Sequence, residues 1–359
     1  MSRRDDGFAA KESPGVGAGG VREGVHGERD GVLLRVSGLQ VHFEMKGGPF
    51  TRRRSYLHAV DGVSFSVQRG STFGLVGESG CGKTTTGLAI MRLIRFTGGH
   101  VELGDLPVSE LSGEQFRQLR RRMQIIFQDP YASLNPRIRA GRIVHEPLDL
   151  MRIGDPAEHD ERVAELFRSV GLRPEHRFLF PHQFSGGQRQ RIGIARALAS
   201  WPDLIVCDEP VSALDVAIQA QILNLLRRLQ GEFGLTYLFI SHDMGVIQHM
   251  CDHVAVMYLG MIVEQAERGE FFRNPLHPYT LALFSAVPSL DLRVKSLAGR
   301  IKLQGDMPSP IDPPPGCRFF SRCPSAIDVC REQTPALREV SAGHLVACHR
   351  VTPGGGPPV

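Results

Sequence analysis

The sequence predicts an α/β fold: a mostly parallel sheet carrying helices and a separate antiparallel β layer. Three observations predict it. A strand, a glycine-rich turn and a helix follow one another through residues 72–93. Two further apolar runs, Leu204–Cys207 and Thr236–Ile240, read as strands buried on both faces, as parallel strands are. Between the first strand and these two, the apolar spacing changes to a helical period over residues 140–183.

At 359 residues, the chain has room for one large domain with an appendage, or for two. Residues 1–31 mix Gly with Arg, Asp and Glu without periodicity and are expected to form a disordered tail. From Val32 the pattern changes. Leu34, Val36, Leu39, Val41 and Phe43 alternate, and so do Val63, Phe65 and Val67 beyond the basic loop Arg52–Arg54. Together they predict an antiparallel layer before the glycine-rich turn. Tyr56 lies just ahead of the second run, where its ring is placed to stack on an adenine; a surface loop tyrosine is the alternative.

Gly77-Glu78-Ser79-Gly80-Cys81-Gly82-Lys83-Thr84 fits G-x-x-x-x-G-K-[ST], the phosphate-cradling P-loop. Its glycines let backbone N–H groups converge on phosphate oxygens, and the helix N-terminus adds a favourable dipole. Lys83 reaches β- and γ-phosphates and the Thr84 hydroxyl ligates Mg²⁺, with Thr85 next in line on the helix.

Met123–Phe127 reads as a strand ending in Gln128-Asp129-Pro130. A helical insertion then occupies about residues 129–200. Val163, Leu166, Phe167 and Val170 fall at i, i+3, i+4 and i+7, and Gly171 stands where a C′ glycine belongs. Ser185 with Gln188 forms a capping box at the start of the next helix, while Gly186 and Gly187 beside it expose N–H groups to an anion. The strand Leu204–Cys207 ends in Asp208-Glu209, and carboxylates at such a position are costly without a cation. Asp208 is placed to hold Mg²⁺ directly or through water, and Glu209 to polarise an attacking water. Asp215 precedes an amphipathic helix carrying Ile218, Ile222, Leu225, Leu226 and Leu229. His242 follows the strand Thr236–Ile240, at the edge where α/β sheets place ligands.

No run of about 18 apolar residues is present; the best candidate, Ala255–Val263, is short and interrupted by Gly260. The first residues lack the apolar stretch of a secretory signal, so a cytosolic chain is expected. A net charge of +4 is compatible with an anionic ligand and does not demand nucleic acid. Of seven cysteines, Cys317, Cys323, Cys330 and Cys348 crowd the C-terminal end as C-x₅-C-x₆-C-x₁₇-C, after a stiff proline-rich linker at 305–316. In a reducing cytosol such a cluster reads as metal-binding rather than as a disulfide framework, although its spacing is unlike the paired C-x₂-C of zinc ribbons. Four thiolates on irregular loops suit an iron–sulfur cluster, with zinc and unliganded thiols as the alternatives. Phe319 and Phe320 are placed to pack a small core around them.

The P-loop, Gln128, Ser185-Gly186-Gly187-Gln188, Asp208-Glu209, Asp215 and His242 together resemble, in order and spacing, an ABC-transporter ATP-binding subunit over about residues 32–350. The resemblance implies an ATPase domain at 32–265 (antiparallel β layer, RecA-like core, helical insertion), a C-terminal extension at 266–350 and a flexible tail at 351–359. It implies a head-to-tail dimer with a second ATP-binding subunit, identical or not. Ser185, Gly186, Gly187 and Gln188 would then close over the partner's nucleotide. His242 would touch the γ-phosphate, Gln128 would sense Mg²⁺ and attacking water, and Asp215 would couple the two sites. Residues 128–136, 274–280 and 235–243 are similar to the oligopeptide/dipeptide permease group, the last to its second, F-type ATPase. That implies ATP hydrolysis driving peptide import with two membrane permease subunits docked near Tyr131–Arg142 and an extracytoplasmic substrate-binding protein, at the cytoplasmic face of the membrane. Some relatives carry a [4Fe–4S] cluster at the matching cysteines. Nickel or sugar import is the alternative cargo reading. A soluble ATPase acting on nucleic acid or the ribosome is the alternative class, disfavoured by the single cassette, the short insertion and the lack of a basic stripe.

Overall fold

A computed structural model describes residues 31–45, 55–286, 303, 305 and 307–354. The expected N-terminal tail, the basic loop Arg52–Arg54 and the last five residues lie outside the described residues.

Two sheets stack on one another. The larger runs β11-β12-β10-β9-β3-β8-β7-β6. Its parallel part comprises β6 (Met123–Ile126), β7 (Leu204–Asp208), β8 (Thr236–Ser241), β3 (Thr72–Val76) and β9 (His253–Tyr258). These strands alternate between two apolar layers, which is why their sequences are continuously apolar. Ile205, Cys207, Tyr237 and Phe239 face the helical side; Val206, Leu238 and Ile240 face the second sheet. That second sheet is antiparallel, in the order β2-β1-β4-β5. It is built from β1 (Val32–Met45), β2 (Ser55–Gln68), β4 (Gly98–Leu103) and β5 (Leu106–Pro107). Phe65 of β2 stacks on Phe73 of β3 with ring centroids 4.6 Å apart, joining the two sheets.

The antiparallel layer needs a correction. Half of its strands follow the P-loop rather than precede it, because β4 opens on two glycines and buries only Val101 and Leu103. The apolar stretch Ala255–Val263 is a hairpin: β9 turns through Leu259-Gly260 into β10 (Met261–Glu267), and both turn residues have positive φ.

The P-loop helix α1 spans Lys83–Ile90, and α2 (Gly113–Arg122) leads into β6. The helical insertion contains α3 (Ala140–Leu150), α4 (His159–Ser169) and α5 (Gly186–Leu198). Between them, Pro156, Pro174 and Pro181 each open a short 3₁₀ turn, since proline suits the first position of a helical turn but cannot continue one. Val163, Leu166, Phe167 and Val170 are all buried, and Gly171 adopts φ +73° as the C′ residue of α4. On the other flank, α6 (Val216–Phe233) connects β7 to β8, and α7 (Met244–Met250) connects β8 to β9.

After β10 come α8 (Arg268–Arg273) and α9 (Pro278–Ser285). The hairpin β11 (Arg338–Ser341) and β12 (His344–Val346) then pairs onto β10, extending the main sheet at its edge. Glu264 on β10 latches this segment. Its carboxylate accepts from the N–H groups of Leu276 at 2.7 Å and His277 at 2.9 Å, and pairs with His344 Nε2 at 2.9 Å, all fully buried. His277 then caps α9, its Nδ1 accepting from Tyr279 N–H at 3.1 Å.

Burial holds the His277 imidazole down to about 4, against an ordinary 6.5. The unfolded chain therefore takes up a proton near pH 6.5 that the folded chain refuses until about pH 4. This site's contribution is complete above pH 6.5 and is lost as the pH falls toward 4, amounting to about 2 kcal/mol by pH 5. His277→Asn, which keeps a capping side chain, should lose correspondingly less stability than the wild type between pH 7.5 and pH 5. Urea unfolding at the two pH values checks this, and equal losses would place the acid sensitivity elsewhere.

Candidate active site

The C-terminal ends of β3, β6, β7 and β8 converge on one cavity of about 680 Å³. Gly77–Gly80 and Gly82–Thr85 form its floor; Gln128, Glu209 and His242 line one side, and Phe43, Leu57 and His58 the other. Gly82 has φ +108°, and a Cβ there would lie 2.2 Å from the Ala59 carbonyl oxygen, so glycine is required where the loop passes β2. Lys83 is buried, its Nζ donating to the carbonyl oxygens of Gly77 at 2.8 Å and Glu78 at 2.9 Å. The ammonium thereby ties the first residue of the helix back to the start of the loop. Cys81 points away from the cavity, beside Lys83 and the Gly77 backbone, and burial pushes its thiol up.

Thr84 Oγ1 donates to Asp208 Oδ1 at 2.9 Å. Burial raises the Asp208 carboxyl above the usual range, and the neighbouring Glu209 charge adds to this. A hydroxyl and a buried carboxylate whose charged form a bound cation would stabilise make a hard-oxygen donor set suited to Mg²⁺. Glu209 itself sits at φ +46°, with its N–H donating to the Ile240 carbonyl at 2.9 Å. A left-handed conformation at a non-glycine residue is costly and is found mainly where a side chain must be aimed. It directs the carboxylate between Gln128 Nε2, which donates to Oε2 at 3.0 Å, and His242 Nδ1, 3.0 Å from Oε1. Gln128, Glu209 and His242, far apart in the chain, thus meet on one carboxylate.

Two contacts on the P-loop carry no sequence signal, because their partners lie in the C-terminal segment. Tyr279 OH accepts from Glu78 N–H at 2.8 Å. Arg322 grips the Glu78 carboxylate at 2.7 and 3.2 Å, and this pairing holds its guanidinium firmly charged. Nearby, Arg318 pairs with Asp61, which also faces His42 and His58 at 3.1 and 3.2 Å. Arg318 and burial pull the Asp61 carboxyl in opposite directions, and the pairing with its hydrogen bonds leaves it below the usual range. Arg322→Ala should free Glu78 to face the phosphates and raise the KM for ATP by about tenfold, the worth of one charged hydrogen bond. Arg322→Lys should recover part of it. An unchanged KM would mean that this ion pair supports only the C-terminal segment.

The remaining candidates lie elsewhere. Ser185 Oγ caps α5 by accepting from Gln188 N–H at 3.3 Å, and Gln188 Oε1 accepts from Ser185 N–H at 3.0 Å, completing the capping box. Gly187 packs so tightly on α6 that a Cβ would lie 2.5 Å from Ile218. Asp215 caps α6, accepting from Ile218 N–H at 3.0 Å. None of Ser185, Gly186, Gly187, Gln188 or Asp215 lines the 680 Å³ cavity. Tyr56 does not line it either; it belongs to β2, half-exposed, with its backbone bonded to Asp312. Phe43 is the aromatic ring at that wall.

Cys317, Cys323, Cys330 and Cys348 come together as free thiols, with Cys317 N–H donating to the Cys330 carbonyl at 2.8 Å. Burial pushes the Cys317 and Cys323 thiols up to about 11, with the other cysteines of the group adding to the rise. Among the described residues, the groups whose ligand atoms lie mutually within 4.8 Å are His42/His58/Asp61 and His145/Asp149/His159, and no cysteine is in either. Tetrahedral zinc at about 2.3 Å from each sulfur needs sulfurs about 3.8 Å apart, so this spread does not match a single zinc ion.

The sequence pattern of ABC transporter ATPases matches residues 60–212, and that of the oligopeptide/dipeptide transporter C-terminal region matches residues 263–330. The oligopeptide transport ATP-binding protein AppF of Bacillus subtilis is 49% identical over 318 residues, covering 88% of this chain and 97% of that protein. This chain belongs to the ABC transporter ATPases. A putative peptide import ATP-binding protein of Brucella ovis is 51% identical over 318 residues, covering 89% of this chain and 98% of its own. Among solved structures, the dimeric post-hydrolysis state of the ATP-binding cassette MJ0796 bound to ADP and phosphate superposes with a TM-score of 0.57 at 26% identity, covering 66% of this chain and 99% of that one. CbiO1 of Clostridium perfringens superposes with a TM-score of 0.57 at 25% identity, covering 68% of this ABC ATPase and 92% of that chain. The fold expected from the P-loop and signature motifs is the fold of the family, and the chain is accordingly an ATP hydrolase. Among the described residues no helix is long and apolar enough to cross a membrane.

Proposed function

We propose that this ABC ATPase binds and hydrolyses MgATP in the cavity at the β3, β6, β7 and β8 ends, and that the cycle drives di- and oligopeptide import. The observation that carries the reading is the Glu209 carboxylate, held by Gln128 and His242 above a P-loop whose Thr84 already touches Asp208. Gly77–Thr85 receive the phosphates, with Lys83 on the β- and γ-oxygens. Glu209 accepts the proton of the attacking water. His242 and Gln128 orient that carboxylate and the γ-phosphate. Thr84 and Asp208 would hold Mg²⁺, which supplies charge neutralisation at the phosphate oxygens when bound.

Supporting a two-subunit cycle, the helix start lies off the chain's own cavity with Ser185 exposed. The capping box uses the Ser185 and Gln188 N–H groups but not those of Gly186 and Gly187, which a second subunit's nucleotide would meet. Asp215, one turn from that surface, would relay closure between sites. Residues 32–265 form the motor in this reading and residues 266–350 the peptide-transporter extension. The exposed Tyr131, beneath the Arg189 guanidinium at 3.9 Å, marks the surface for the two permease subunits at the cytoplasmic face of the membrane. A substrate-binding protein outside the membrane would deliver the cargo. Peptide as cargo rests on the named relatives.

The four cysteines are proposed to hold an iron–sulfur cluster, their spread exceeding what one zinc ion needs. Anaerobic purification with iron and sulfide assay tests this; a colourless protein with one zinc per chain overturns it. The transport reading is tested by reconstituting the protein with its permease subunits in liposomes. Accumulation of labelled peptide that requires ATP hydrolysis is the expected result. Uptake of nickel or sugar but not peptide would overturn the cargo, and uptake without nucleotide would overturn the motor.

A further inference from the structure

In the helical insertion, well away from the P-loop, α3 and α4 bring two histidines and a carboxylate together. His145 and Asp149 lie one turn apart on α3, and His159 is the first residue of α4. His145 Nδ1 lies 3.1 Å from Asp149 Oδ2, and His159 Nδ1 lies 3.5 Å from Asp149 Oδ1. A tetrahedral ion at 2.0–2.1 Å from nitrogen and oxygen ligands sets them about 3.3 Å apart, which is this spacing.

The His159 ring decides between a cluster that is satisfied as it stands and one that lacks a cation. Its side chain is only 6% exposed. Its Nε2 lies 2.6 Å from the Ile153 carbonyl oxygen, an acceptor only, so Nε2 carries the proton. In the neutral ring, Nδ1 then presents a lone pair, and this buried atom has no hydrogen-bond partner. A lone pair facing a carboxylate oxygen at 3.5 Å is unfavourable unless a proton on Nδ1 or a metal cation sits between them, and a metal-binding titration distinguishes the two. An imidazole locked through its far nitrogen onto a backbone carbonyl, with the near nitrogen free, is the arrangement that second-shell bonding imposes on metal-ligating histidines.

The positive charge now at the cluster is Arg142, which donates to both Asp149 Oδ2 at 2.7 Å and His145 Nδ1 at 2.9 Å. Its side chain is 60% exposed, free to swing into solvent. A cleft of about 200 Å³ beside the cluster is lined by Arg142 and by one of the three side chains, His145.

We propose that His145 Nδ1, Asp149 and His159 Nδ1 form a binding site for a divalent transition ion of the zinc class, which displaces Arg142 and staples α3 to α4. Two imidazoles and one carboxylate suit Zn²⁺, with a water as the fourth ligand. The ion would fix α3 against α4 independently of nucleotide.

The test is a Co²⁺ titration of the full-length protein without nucleotide, read by visible ligand-field bands. Binding here gives tetrahedral cobalt bands without thiolate-to-cobalt charge transfer, which separates it from ions on the four cysteines. Asp149→Asn and His145→Ala, both outside the buried core, should each remove this equivalent or weaken it by more than the about 10–100-fold that a supporting residue costs. Arg142→Ala should tighten it several-fold, since a competing cation is gone; a merely structural Arg142–Asp149 pair would show no such gain. Binding with charge transfer only, or cobalt bands that persist at wild-type affinity in both ligand variants, overturns the site.

Discussion

Glu209→Gln is expected to bind ATP with near wild-type affinity while turnover falls by about 10²–10³-fold, the range for removing one group that acts in the transition state. The amide has the shape of the carboxylate, so the left-handed backbone at φ +46° and its bond to Ile240 should persist. What is lost is the charge. In the wild type Glu209 takes the Gln128 amide on one oxygen and faces His242 on the other, leaving lone pairs free for a water proton. An amide offers one acceptor and no basicity. Without hydrolysis to open them, paired subunits should accumulate in MgATP, visible as a shift to dimer on sizing chromatography. Single-turnover ATPase assays give the rate, and retention of wild-type turnover would remove Glu209 from the role of base. His242→Ala should fall in the same range, because it leaves Glu209 held on one side only.

Most of this machinery was legible because its residues cluster in short motifs at strand ends. The β3, β7 and β8 strands announced themselves by unbroken apolar runs, a consequence of being covered on both faces. Three things did not show. The β4 strand begins with glycines, so its pairing with β1 is set by tertiary contact rather than by its own pattern. The choice between Tyr56 and Phe43 depends on register, and β1 pairs with β2 through several irregularities, including one between Val41 and His42. Position just ahead of an apolar run, the ground for naming Tyr56, does not fix which ring faces the cavity when the pairing carries such bulges. Finally, Tyr279 and Arg322 reach Glu78 across 201 and 244 residues, and a hydrogen bond at that separation leaves no local spacing to read. The Asn-Pro-Leu-His-Pro-Tyr stretch was recognisable as a motif, but its physical use was not: His277 caps α9, Glu264 captures its backbone, and Tyr279 supports the P-loop.

Lys83→Ala should instead act on binding, raising the Kd for MgATP by about 10²-fold in a chain that still folds. A charge-assisted hydrogen bond is worth about 1.5–3 kcal/mol, or roughly 10–100-fold in affinity. Lys83 contributes twice. It meets the phosphates, and before they arrive its buried ammonium holds the Gly77 and Glu78 carbonyls at 2.8 and 2.9 Å. Those two bonds satisfy the carbonyl oxygens with a cation, so their loss leaves two bare acceptors in the loop that must receive an anion. Arg322 still holds Glu78 from the other side, which limits the collapse and keeps the protein folded. The two lesions therefore separate cleanly: Glu209→Gln changes turnover at constant affinity, whereas Lys83→Ala changes affinity, and calorimetric titration with MgATP distinguishes them. Unchanged ATP affinity in Lys83→Ala would mean that the phosphates do not occupy this loop, and the placement of Glu209, Gln128 and His242 around it would lose its chemical meaning.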